Sequence, residues 1–220
     1  DIVVITITGR KGGIGKTTTA VHLAAYFQTL GSTLLVDGDP NDSALIWANR
    51  ESFPFKTIDS SVVQTHLQEQ QYDYVIVDTK AHPEPEDIQV LAENCDLLVL
   101  PSRPSFLDLH ALLQTVRTLE QLQAPYKVLL TMVRPPKRTD KHTKRMTARE
   151  FLYQEKIPVF ETEIQQLAVF EEAPDHGALV QDFGGAIAQK AWLSYQALGQ
   201  EIKQEMEWRE YNVKRVHSRG

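Results

Sequence analysis

The feature that most constrains the fold is a glycine-rich segment, residues 11–18, with the sequence KGGIGKTT. An apolar, β-branched run from Ile2 to Thr8 precedes it, and a helical pattern from about Thr17 to Leu30 follows it. Glycines let successive backbone N–H groups approach phosphate oxygens, and the N-terminus of a helix adds a positive dipole end. The sequence therefore predicts a phosphate-binding loop between the first strand and the first helix.

The side chains of this loop have distinct predicted roles. Lys16 is expected to contact the β- and γ-phosphates of a nucleotide, and the Thr17 hydroxyl is expected to ligate Mg²⁺. Arg10 stands where the general pattern has its first glycine. The predicted nucleotide-binding residues of the loop are Lys11, Gly12, Gly13, Ile14, Gly15, Lys16, Thr17 and Thr18.

Three aspartates stand where predicted strands end. Asp37 and Asp39 follow an apolar run at residues 33–36, and Asp78 follows a second run at residues 74–77. Alternation along a strand end places Asp37 and Asp39 on the same side, facing the loop. A turn alone would also explain these two residues.

Apolar β-branched runs alternate with helical patterns along the whole chain. Further strands are predicted at residues 55–58, 97–100 and 127–131. This alternation predicts an α/β fold with a doubly wound, mostly parallel sheet flanked by helices. We expect a single domain over residues 1–220, with a long C-terminal helix from about residue 186.

The composition excludes several classes of protein. The longest clear apolar run, Leu97 to Leu100, is far shorter than the ~20 residues of a membrane helix. Cys95 is the single cysteine, so neither an internal disulfide nor an iron–sulfur ligand set is expected. The first residues show no secretion-signal pattern, and a cytoplasmic protein is expected.

A basic segment, residues 134–150, interrupts an otherwise acidic chain of net charge −6. A basic patch on an otherwise acidic protein indicates binding to a polyanion such as DNA or a phospholipid surface. A solvated helix that binds nothing is the alternative. The predicted DNA contacts are Arg134, Lys137, Arg138, Lys141, Lys144, Arg145 and Arg149, joined by Lys214 and Arg215 near the C-terminus.

The loop, with Lys11 five residues ahead of Lys16, resembles the deviant Walker box of the ParA/MinD ATPases. The segments DGDP at 37–40 and YVIVDT at 74–79 are similar to the first switch and the Walker B strand of that family. Within the family the chain looks like a small ParA-type partition protein, with details similar to the carboxysome-positioning McdA group.

The resemblance implies a slow ATPase that requires ATP and Mg²⁺ and works as a homodimer with ATP sandwiched between two copies. Lys11 and Lys16 would neutralise the γ-phosphate, Lys11 from the partner copy, while Asp39 would align the attacking water. Asp37 would support the magnesium or the switch, and Asp78 would hold a magnesium-bound water.

Two segments depart from the family pattern. Thr131 and Met132 stand where relatives often place an asparagine near the adenine, and these two residues are the predicted base contacts. Lys80 lies in the second switch, where the family usually has proline.

The resemblance also implies binding to DNA without sequence preference, a nucleoid location and an adaptor protein on the cargo, ParB-like or McdB-like. The cargo would be a plasmid, a chromosome region or a protein organelle. A MinD-like ATPase on a membrane surface is the alternative. The apolar residues of the C-terminal tail are sparse among charges, which argues against a membrane anchor.

Overall fold

A sheet of parallel strands forms the centre of the computed structural model, which describes residues 2–49, 53–135, 137 and 143–217, with side chains as far as residue 210. Within these ranges the strands are β1 (Val3–Gly9), β2 (Thr33–Gly38), β3 (Lys56–Asp59), β4 (Tyr74–Ala81), β5 (Leu97–Ser102) and β6 (Tyr126–Leu130). They lie in the order β3-β2-β4-β1-β5-β6, and every pairing is parallel. The parallel α/β architecture predicted from the alternating patterns is confirmed.

Helices cover both faces of the sheet. They are α1 (Lys16–Gln28), α2 (Ser43–Ala48), α3 (Val63–Glu69), α4 (Pro85–Glu93), α5 (Phe106–Gln121), α6 (Lys144–Gln154), α7 (Val169–His176) and α8 (Ala186–His217). Strand β5 is covered on both faces. Leu97 and Val99 pack with α1 and α8, whereas Leu98 and Leu100 pack with α5. Burial on both faces explains why this strand is a continuous apolar run. In the described part of the chain, none of the helices has both the length and the apolar run that crossing a bilayer requires.

The carboxyl ends of three adjacent strands meet at one edge of the sheet. The glycine-rich loop follows β1, and neighbouring β4 and β2 carry Asp78 and Asp37, which pair directly in the parallel register. Both strands extend beyond their predicted apolar runs, so Asp37 and Asp78 lie inside β2 and β4 rather than after them. Ligands of open α/β sheets bind at this edge.

Helices α1 and α8 are in close contact at Gly199. A Cβ built there would overlap the ring of Tyr26, a buried residue of α1. We expect Gly199→Ala to lower the free energy of unfolding by about 1–3 kcal/mol, although alanine favours helix, because overpacking outweighs propensity. Denaturant unfolding measures the change. Gly184→Ala is the control, since nothing lies within 4 Å of a Cβ there; equal effects of the two variants would contradict the prediction.

Candidate nucleotide-binding site

The glycine-rich loop adopts the shape that a phosphate cradle requires. Gly13 and Gly15 have φ of 66° and 84°, in the left-handed region that favours glycine. Lys16 begins α1, is 7% exposed, and its Nζ donates a hydrogen bond to the Lys11 carbonyl oxygen at 2.8 Å. Burial lowers the pKa of Lys16 even though Asp78 lies near enough to oppose the shift. An ammonium held out of water in this way interacts strongly with a phosphate.

The Thr17 hydroxyl lies beside a carboxylate that has one unused oxygen. Thr17 Oγ1 donates to Asp78 Oδ2 at 2.7 Å, whereas Asp78 Oδ1 is buried and has no hydrogen-bond partner among the described residues. Burial raises the pKa of Asp78 to about 7, and the neighbouring Asp37 carboxylate adds to the shift. A cation would relieve both the unpaired oxygen and the repulsion, so the residues present fit Mg²⁺.

The form of this site suits magnesium in particular. Within the described ranges, no group of three or more His, Cys, Asp or Glu side chains forms a metal cage. Magnesium is usually held by one or two carboxylates together with substrate phosphates and water. Thr17 and Asp78 would supply the protein part of such a site.

Asp37 and Asp39 have different surroundings. Both oxygens of Asp37 accept backbone hydrogen bonds, from Asp39 N at 2.9 Å and Leu45 N at 3.0 Å, so this side chain holds the turn between β2 and α2. Asp39 lines a cavity that begins at the glycine-rich loop, and its Oδ1 accepts hydrogen bonds from the backbone and side chain of Asn41. The metal role of Asp37 and the water-aligning role of Asp39 stay predictions.

A cavity of ≈ 980 Å³ extends from the loop to a partly apolar wall, a volume within the range of small-molecule sites. The loop contributes Gly12, Gly13, Gly15, Lys16, Thr17 and Thr18. Its lining also includes Met132, Val133, Pro135, Gln165, Leu167 and Phe170. A lining that combines the polar groups of the loop with apolar side chains suits the phosphates and the base of a nucleotide, so we call it the nucleotide cavity.

Thr131, one of the predicted base contacts, lines the cavity and also contacts the glycine-rich loop. It is buried, and its hydroxyl donates to the Ile14 carbonyl oxygen at 2.9 Å, so it braces the glycine-rich loop. Met132 follows with a positive φ of 51° and lines the cavity. The loop-bracing contact joins residues 117 positions apart, and no local pattern indicates it.

Two residues near the N-terminus of α5, Arg103 and Asp108, contact the glycine-rich loop, and neither was predicted from the sequence. Lys11, whose side chain is 41% exposed, forms a salt bridge with Asp108. Arg103 Nη2 donates to the Gly13 carbonyl oxygen at 2.6 Å. Ser105 is the N-cap of α5 and accepts a hydrogen bond from Asp108 N. The pattern Ser-x-x-Asp before an apolar helix is an N-terminus signature and could have located Asp108 on the first turn.

The basic segment is partly neutralised within the chain. Arg145 and Arg149 both form ion pairs with Glu163, and Arg149 also donates to the Phe160 carbonyl oxygen at 3.0 Å. Lys144 is exposed at the start of α6 and lines the nucleotide cavity.

The remaining predicted DNA contacts have varied positions. Arg134 lines the cavity, and Lys137 is exposed. Arg138 and Lys141 lie outside the described residues, as do the side chains of Lys214 and Arg215. The DNA contacts therefore stay a prediction.

The buried residue His22 connects α1, the helix that follows the glycine-rich loop, to Val180 and to Tyr195 of α8. His22 Nδ1 lies 2.7 Å from the Thr18 carbonyl oxygen, and Nε2 accepts a hydrogen bond from Val180 N at 3.1 Å. Its ring stacks on Tyr195 and meets Phe170 edge-on. Because Nε2 is an acceptor, the ring is neutral, and burial lowers its pKa to about 4.

This pKa predicts a stability that depends on pH. The unfolded chain binds a proton at His22 near the ordinary value of 6.5, so its contribution is complete above that pH and is lost as the pH falls towards 4. Because of His22, we expect the free energy of unfolding to fall by about 2 kcal/mol between pH 7 and pH 5. In denaturant unfolding, the free energy of unfolding of His22→Gln should fall by about 2 kcal/mol less than that of the parent chain over this pH range. His110→Gln, at an exposed histidine, is the control; unchanged dependence in the His22 variant would refute the prediction.

Comparison with known proteins decides the family. Residues 5–180 match the model of the CobQ/CobB/MinD/ParA nucleotide binding domain. The chain belongs to this family. A maintenance of carboxysome distribution protein A from Gloeobacter kilaueensis is 32% identical over 212 residues, which cover 94% of this chain and 95% of that protein.

Solved structures of the CobQ/CobB/MinD/ParA family share the fold. The Cyanothece McdA–ATP complex, of an Asp-to-Ala variant, has a TM-score of 0.73 at 16% identity, covering 92% of this chain and 96% of that one. The septum site-determining protein MinD of Pyrococcus horikoshii, complexed with Mg-ADP, has a TM-score of 0.67 at 15% identity, covering 89% and 95%. At these identities the likeness shows the fold alone.

Proposed function

We propose that the protein is a ParA-type positioning ATPase that pairs with a second copy around ATP and then binds DNA without sequence preference. The observation that carries the proposal is the presence of two lysines on one loop in different environments. Lys16 is buried where a phosphate would lie, whereas Lys11 is half-exposed at the mouth. A phosphate-binding loop that acts alone needs a lysine at the position of Lys16 and gives no role to a lysine at the position of Lys11.

The chemistry follows from the positions of the charges. Lys16 and the loop N–H groups hold the phosphates, and Asp39 aligns water for attack on the γ-phosphorus. Magnesium, when bound at Thr17 and Asp78, would neutralise charge on the β- and γ-phosphates. In the ATP-bound pair, Lys11 would leave Asp108 and contact the phosphates of the partner's nucleotide.

The cargo and the location are further parts of this proposal. The relative in Gloeobacter kilaueensis is a carboxysome distribution protein, which supports a protein organelle as the cargo. An adaptor on that cargo, ParB-like or McdB-like, would stimulate an otherwise slow hydrolysis and release the ATPase from the nucleoid. Lys137 and Lys144 are exposed and are the proposed DNA contacts within the described part of the basic segment.

The test is binding to a random-sequence DNA duplex, measured by fluorescence anisotropy with ATP-Mg²⁺, ADP-Mg²⁺ and no nucleotide at two salt concentrations. We expect binding only with ATP, weakening steeply with salt because phosphate contacts release counterions. Lys144→Glu should weaken binding, and Lys190→Glu, at an exposed position of α8, is the matched control. ATP hydrolysis without DNA binding in any state would contradict the DNA role, and ATP-dependent co-sedimentation with liposomes would then support the membrane alternative.

A further inference from the structure

The salt bridge between Lys11 and Asp108 involves a carboxylate that is mostly buried. The Asp108 side chain is 10% exposed, and its Oδ1 is paired with Lys11. Its Oδ2 accepts a hydrogen bond from Ser105 Oγ at 2.6 Å. In the proposed pair, Lys11 leaves Asp108 for the phosphates of the partner's nucleotide. Removing one partner of a buried ion pair is strongly destabilising, because the remaining charge is no longer compensated. The movement of Lys11 is therefore favoured by a second cation that replaces it at Asp108.

Arg103 is a nearby cation whose own contact is weak enough to be exchanged. Its side chain is exposed, and Nη2 donates to the Gly13 carbonyl oxygen at 2.6 Å. Among the residues that the structure describes, the Arg103 guanidinium has no salt-bridge partner. A carboxylate is a stronger partner for a guanidinium than a neutral carbonyl oxygen, because it carries charge and accepts two parallel N–H bonds. The contact with Gly13 is therefore weaker than a salt bridge to Asp108 would be.

Ser105 connects Arg103 to Asp108. Ser105 N donates to the Arg103 carbonyl oxygen at 2.8 Å, and Ser105 Oγ donates to the Asp108 carboxylate. All three residues line the nucleotide cavity. The two charges already interact. Burial acts to raise the pKa of Asp108, but hydrogen bonds from Lys11 and Ser105 and the charges of Lys11 and Arg103 hold it below its ordinary value. Arg103 therefore lies close enough to Asp108 to stabilise the carboxylate.

We propose that Arg103 is a positioning residue that takes the place of Lys11 at Asp108 when two copies pair around ATP. In the single chain, Asp108 holds Lys11, and Arg103 contacts the Gly13 carbonyl oxygen. In the pair, Arg103 neutralises Asp108, and Lys11 is released to the partner's nucleotide. Exposed side chains change rotamer within nanoseconds, so the exchange is fast compared with pairing. This inference rests on the proposed function and deepens it, because it assigns the release of Lys11 to a second cation of the same chain.

The test is a double-mutant cycle on pairing, measured by sedimentation velocity with Mg²⁺ and the non-hydrolysable β,γ-imido analogue of ATP. Arg103→Gln should weaken pairing about 3- to 10-fold for each copy, and therefore about 10- to 100-fold for the pair, because Asp108 is left uncompensated. Asp108→Asn should pair at least as tightly as the parent chain, because no carboxylate then holds Lys11. Adding Arg103→Gln to Asp108→Asn should change pairing less than about twofold.

The cycle separates this inference from a direct role of Arg103 at the loop or at a phosphate. An equal loss of pairing in both backgrounds would show that Arg103 acts without Asp108 and would overturn the inference, as would parent-like pairing of Arg103→Gln. Arg103→Gln should also bind ADP-Mg²⁺ within about twofold of the parent, and a larger loss would indicate a structural role instead. Arg117→Gln, at an exposed arginine of α5, is the matched control and should pair as the parent does. Failure of the parent chain to pair with the analogue would overturn the proposed function itself.

Discussion

Lys16→Ala should weaken ATP binding severely while leaving the ligand-free fold intact. Truncating a buried, hydrogen-bonded charge that pairs with a ligand costs about 2–5 kcal/mol, or roughly 30- to 5,000-fold in affinity. The fold does not depend on this ammonium, because burial already disfavours its charged form and lowers its pKa. The free energy of unfolding without ligand should therefore stay the same or rise.

A thermal unfolding series with and without Mg-ATP checks both parts of this expectation. At a nucleotide concentration of one hundred times Kd, the parent chain gains about 2.7 kcal/mol. For a chain of this size the gain raises Tm by about 5–11 °C. Lys16→Ala should show at most about a third of this rise, whereas Lys190→Ala, which removes an exposed lysine of α8, should behave as the parent. A full rise in the Lys16 variant would show that the nucleotide binds elsewhere.

Asp39→Ala should separate nucleotide binding from hydrolysis. The Asn41 backbone and side chain fix Asp39 Oδ1 at 2.9 Å each, and the carboxylate lines the cavity. Its proposed role is to orient water, and a positioned general base contributes about 10²–10⁴-fold to a rate. We expect hydrolysis to fall at least about 100-fold, with ATP affinity within about threefold of the parent. The ATP-bound pair should then persist.

Phosphate release and size-exclusion chromatography with ATP measure these two effects. Asp42→Asn is the matched control, because it removes one negative charge from the same turn and asparagine tolerates its φ of 53°. Normal hydrolysis in Asp39→Ala would refute the role of Asp39. Loss of ATP binding in the same variant would instead show that Asp39 belongs to the binding surface.

The sequence predicted the elements whose signals are local. The loop at residues 11–18 was found because glycine spacing, a preceding strand and a following helix are adjacent in the chain. Strand β5 was found because burial on both faces leaves an apolar run. The ends of β2 and β4 were placed too early, since parallel pairing of Gly38 with Thr79 and of Gly9 with Ala81 continues the strands through polar residues.

The contacts that organise the site beyond the loop were decided by the tertiary structure. Asp108 holds Lys11 across 97 positions of sequence, and Glu163 neutralises two arginines of the basic segment. Thr131 braces the loop, and Gln165 enters the cavity wall because a backbone bridge brings it beside Val133. Spacing within one element fixes which residues share a turn or a face. The pairing of distant side chains depends on how strands and helices pack, and a sequence pattern does not contain that information.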